Sequence, residues 1–64
     1  MFIYVLDIER QQWIEATNLY PHDIAMLIDN TNKKIYLWFG NKSREEDREM
    51  GTRLSEDLMT KYRM

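Results

Sequence analysis

The chain has 64 residues, with nine basic and eleven acidic side chains, a net charge of −2, one histidine and no cysteine. Disulfides and thiolate zinc sites are excluded, and charges interspersed along a slightly acidic chain give nucleic acid no footing. At this length only roughly 60% of the unfolded surface is buried on folding, so a lone core is marginal and self-association or docking on a partner is the expected supplement.

Phe2 to Leu6 is aromatic and β-branched, too short for an independent helix, and reads as a first strand. Interrupted by Asp7 and lacking a basic flank, it is also too short for a signal peptide or a membrane span, and the absence of targeting signals and cysteine fits a cytoplasmic protein. A polar stretch from Glu9 to Gln12 separates it from Trp13 to Thr17, a weaker second strand at hairpin distance. Asn18 to Asp23, which contains the only proline, Pro21, reads as an irregular connection.

Ile24 to Asp29 and Lys34 to Phe39 are apolar runs separated by Asn30, Thr31, Asn32 and Lys33, residues that tolerate turn conformations, and they predict a second hairpin. Ile24, Met26 and Ile28 oppose Ala25 and Leu27, while Ile35, Leu37 and Phe39 oppose Tyr36 and Trp38. Apolar side chains on both faces predict strands covered on both sides. Gly40 ends the sheet, and Ser43 with Glu46 three residues later is a capping-box pattern that predicts a helix from Arg44 to about Tyr62, roughly 28 Å long. Met50, Leu54, Leu58 and Tyr62 fall with Gly51 in one stripe of that helix, and Glu49 with Arg53 and Asp57 with Lys61 add i,i+4 charge pairs on its flanks.

One helix covers one face of a sheet. The second apolar face is therefore expected to be bare, holding Tyr36 and Trp38 or their opposite-facing neighbours, and to be covered by a second copy or another partner.

From Ile24 onward the sequence resembles the gelsolin homology repeat of gelsolin, villin and severin, which has related domains in vesicle-coat proteins. Leu27-Ile28-Asp29 matches a strand ending in leucine-aspartate, and Ile35 to Gly40 matches the tryptophan-x-glycine strand. Ser43, Asp47 and Arg48 stand where the family opens its long helix. The first two strands fit loosely. The resemblance implies an α+β fold, a four-stranded mixed sheet packed on one long C-terminal amphipathic helix, forming a single domain over residues 1–64. A family repeat continues into a fifth strand and a second, shorter helix that covers the other sheet face, whereas this sequence stops at Met64, which again points to a homodimer.

The resemblance also implies function: a non-enzymatic module that binds actin or an actin-like filament. The family inserts its long helix into a cleft of actin, so Arg44, Arg48, Met50 and Arg53 on the helix flank become candidate contacts. Family repeats bind calcium with an acidic residue at the helix position of Asp47 and another just before the third strand, where Asp23 sits, so these two are candidate calcium ligands. Asp47 has a simpler role open to it, as a carboxylate at the positive end of the helix dipole. The alternative to actin binding is a scaffolding module whose helix and open sheet face serve only protein–protein assembly. His22 beside Asp23 has no serine, cysteine or second histidine to support catalysis. Trp13 and Trp38 are large enough to anchor an interface and equally at home in a core, Trp38 reading as structural, and no phosphate-cradling pattern is present.

Overall fold

In the computed structural model, which describes residues 1–62 without the side chain of Tyr62, both hairpins are built on the same turn. Strands Phe2–Asp7 (β1) and Gln12–Glu15 (β2) form the first hairpin, and Ile24–Asp29 (β3) and Lys34–Phe39 (β4) form the second. In each, an aspartate closes the leading strand and accepts a backbone N–H three residues on: Arg10 N–H to Asp7 Oδ1 and Asn32 N–H to Asp29 Oδ1, both 3.2 Å. Just before the returning strand, Gln11 (φ 52°) and Lys33 (φ 54°) take the left-handed conformation that reverses the chain. β2 is shorter than the predicted Trp13 to Thr17, although Ala16 still donates to the Ile3 carbonyl at 2.9 Å.

The strand order is β2-β1-β3-β4, and every neighbouring pair is antiparallel. This corrects the expected mixed sheet. β2 ends beside the start of β1, and segment 16–23 carries the chain back along β1 so that β3 begins beside its end and runs antiparallel to it.

Register sorts the side chains by face. Tyr4, Met26 and Leu37 lie in one cross-strand row, with Leu6, Trp13, Ile24 and Phe39 in another. Helix Glu45–Tyr62 (α1) rests on this face. Ile24, Met26 and Ile28 are fully buried there, and Leu58 packs on Met26 and Ile28 within a shell of Tyr4, Trp13, Ile35, Leu37 and Met59. Deep burial of aliphatic side chains at about 25 cal/mol per Å² is the main force holding helix to sheet.

The buried stripe of α1 is Gly51, Ser55 and Leu58, with Leu54 and Met59 partly covered, so it is rotated from the predicted one and leaves Met50 half-buried at the margin. Small residues cause the rotation, because Gly51 admits the Ile24 side chain and Ser55 turns its hydroxyl back to the Thr52 carbonyl at 2.7 Å. A pattern of large apolar residues misses this. Tyr62, the last member of the predicted stripe, has its side chain outside the described part. Glu49 with Arg53 and Asp57 with Lys61 are not among the ion pairs of the described residues.

The helix begins one residue later than predicted, and the capping box does not form. Ser43 Oγ donates to the Gly40 carbonyl at 2.6 Å, closing the preceding turn, and Glu46 pairs with Arg44. Arg44 takes the cap position instead, its carbonyl accepting from Asp47 (3.1 Å) and Arg48 (3.0 Å). Gly40 is needed just before this turn: the Pro21 carbonyl stands where a Cβ would project, while Gly40 N–H reaches the Asp23 carbonyl at 2.8 Å.

The other sheet face carries Ile3, Val5, Ile14, Leu27, Tyr36 and Trp38, as expected from alternation. It is not wholly bare. Segment 16–23 arches over Val5, with Thr17, Tyr20 and Asp23 walling a cavity above it, and Ala25 is fully buried. Towards the two sheet edges the covering stops, leaving Ile14 40% and Tyr36 47% exposed.

Candidate partner-binding surface

The outer ridge of α1 is polar and charged, and a shallow groove follows it on either side. On the β4 side the groove is floored by Phe39 and lined by Arg48, Thr52, Arg53, Glu45, Glu49 and Glu56. On the opposite side Glu46, Glu49, Met50 and Arg53 line a second groove. Arg53 and Glu49 stand on the crest and belong to both.

The four residues predicted for partner binding thus separate. Arg48 is half-buried against the β4 side, Met50 half-buried on the far side, and Arg53 exposed between them. Arg44 lies outside both grooves, exposed and engaged with Glu46. The surface role of Phe39 is not marked by its sequence pattern. It alternates in step with the inward-facing Ile35 and Leu37, but at the end of the strand it is 40% exposed. A large apolar residue immediately before the glycine that leads into the helix was the available signal.

The ridge is rigidly seated. Trp13 donates its ring N–H to the Leu54 carbonyl at 3.1 Å, fastening the middle of α1 to the far edge of the sheet. Trp13 is therefore a structural side chain, and Trp38 lies half-buried on the opposite face.

Asp23 is committed locally. Asp23 Oδ2 accepts the Tyr20 N–H at 2.9 Å, and its Oδ1 lies 3.6 Å from His22 Nε2. Asp47 sits half-buried in the first turn of α1. No group of three or more His, Cys, Asp or Glu suited to a metal forms among the described residues. Calcium takes six to eight oxygens, more than these two carboxylates supply by themselves. The Asp29 carboxyl is held below its ordinary range, first by the Asn32 side-chain amide (2.8 Å) and then by the Asn32 backbone N–H.

An antiparallel sheet with one long helix across one face, entered through a tryptophan-x-glycine turn, is the frame of a known module. The model of the gelsolin repeat matches residues 11–63. The chain belongs to the gelsolin repeat family. Searches among curated proteins and among solved structures return no significant match. Gelsolin repeats are actin-binding modules, and membership of the family points, at that coarse level, to an actin-binding domain. No helix of the described residues is long and apolar enough to cross a membrane.

Proposed function

We propose that this gelsolin repeat binds actin or an actin-like filament protein in the cytoplasm through the outer ridge of α1, acting as a homodimer. The observation that carries the reading is Arg53, an exposed cation on the crest of a helix fastened to the sheet, with apolar Phe39 and Met50 in the grooves on its two sides. A rigid ridge with apolar flanks and a central arginine suits insertion into a cleft. Arginine and aromatic side chains are those that most often dominate binding energy. Arg48 contributes from the β4 side and Arg44 from the helix start.

A single ridge engages one filament subunit, which sequesters or caps; two ridges in a dimer bridge or nucleate. Calcium modulation is the finest part of the reading and rests on the family resemblance at Asp23 and Asp47, with further oxygens needed from elsewhere. The alternative, a scaffold without actin binding, is favoured by exposed Tyr36 and Ile14 on the face away from α1. An actin assembly assay with and without calcium tests both: altered polymerisation supports the actin reading, and a folded protein without effect supports the scaffold.

A further inference from the structure

We infer that the outer edge of β4 is the self-association site, and that its occupant is β4 of a second copy, paired antiparallel across a twofold axis. The inference rests on the homodimer reading above and gives it an interface.

β4 ends the sheet on one side, and no described strand pairs with its outer edge. The run from Lys34 to Phe39 contains no proline or glycine and pairs with β3 residue for residue, so it has no bulge. Its only charge is Lys34, at the end. Those are the devices that protect natural edges, and β4 lacks them. The opposite edge strand, β2, is shorter and carries Gln12 and Glu15.

Gly40 N–H points at the Asp23 carbonyl of the β3 side. Pairing direction alternates along an antiparallel strand, so Ile35, Leu37 and Phe39 turn their N–H and C=O outward. Three residues of free backbone, spaced for a ladder, are offered to a neighbour.

Side chains on both faces of the same edge favour a second copy over an arbitrary strand. On the face away from α1, the row Ile3, Leu27, Tyr36 runs to the edge and stops at a half-exposed tyrosine. A twofold axis at Leu37 pairs Ile35, Leu37 and Phe39 with Phe39, Leu37 and Ile35 of the copy and sets Tyr36 against the copy's Trp38, which makes the surface self-complementary. On the helix face, Phe39 is bordered by Arg48 and Arg53 together with Glu45, Glu49 and Glu56. Mixed signs let two identical rims approach without like-charge repulsion, and pairing on this side leaves the Met50 side of the ridge, with Arg53 on its crest, for a filament subunit. With a partly exposed Tyr36, Trp38 and Phe39 on each copy and a strand about 20 Å long, the contact hides about 1,000 Å² in total, the low end for a specific interface. The dimer is accordingly expected to form in the micromolar range.

Sedimentation equilibrium of the 64-residue chain from about 10 to 500 μM tests this, alongside amide exchange. The expected result is a shift from 7.9 kDa to twice that mass, with the Ile35, Leu37 and Phe39 amides exchanging more slowly as concentration rises. Tyr36→Lys and Phe39→Pro should each weaken the dimer about tenfold or more, while Ile14→Lys on the far side of the same sheet leaves it intact. A wild-type monomer throughout overturns both the interface and the homodimer reading. A dimer that survives the β4 variants, dissolves with Ile14→Lys, or forms without protecting those three amides overturns the interface alone. The exchange measurement needs no variant, so a misfolded substitution does not leave the question open.

Discussion

Gly51 of α1 sits so close to Ile24 of β3 that a side chain at position 51 would collide with the isoleucine Cγ2. Ile24 is 1% exposed and has no room to yield. In an exposed helix, replacing glycine by alanine gains about 1 kcal/mol of helix propensity. Here overpacking outweighs that gain, and Gly51→Ala is expected to lower stability by about 1–3 kcal/mol in urea denaturation. The double variant Gly51→Ala with Ile24→Ala should cost less than the sum of the two singles, because removing the isoleucine branch makes room. A Gly51→Ala protein more stable than wild type would contradict the close approach.

Much of this architecture is legible in the residues. Alternation across Ile24–Asp29 and Lys34–Phe39, with Asn30 to Lys33 between them, specifies the second hairpin directly. The seating of α1 is not legible in the same way, since Gly51 and Ser55 carry it and neither counts as apolar. The spacing of Ser43 to Glu46 fits a cap, but the preceding turn claims the Ser43 hydroxyl. The binding ridge was half visible: Arg48 and Arg53 stand out as charges near an apolar stripe, whereas Phe39 becomes part of the surface only when β4 and α1 are brought together.

Lys33 and Gln11 hold left-handed backbone at a cost that glycine would not bear. Lys33→Gly is expected to raise stability by about 1 kcal/mol, with Gln11→Gly similar, measured by thermal unfolding. Loss of stability in both variants would mean that the side chains contribute more than the turn conformation costs.

Trp13→Phe keeps an aromatic ring but removes the indole N–H donated to Leu54 together with the five-membered ring that carries it. A loss of at least about 0.5–1.5 kcal/mol is expected from the hydrogen bond, with the lost packing adding to it, together with faster amide exchange in the middle of α1. Unchanged stability and exchange would show that the bond does not fasten the helix.

Asp29 titrates below its ordinary value in the folded chain because Asn32 hydrogen-bonds its ionised form. The stabilisation is therefore fully present above the unfolded carboxylate range, near pH 4, and is lost as pH falls through the lowered folded value. Asn32→Ala should reduce stability at neutral pH and flatten part of the acid limb of a pH–stability profile. An acid limb identical to wild type would assign it to other carboxylates.

Binding of actin by the α1 ridge is decided by co-sedimentation with actin filaments alongside a polymerisation assay, using wild type and Arg53→Glu. Arg53 is exposed, so Arg53→Glu should melt like wild type and yet lose about tenfold or more in affinity, with its effect on polymerisation reduced in step. Wild-type protein that is folded and neither binds actin nor alters its assembly, with calcium or without, would contradict the account.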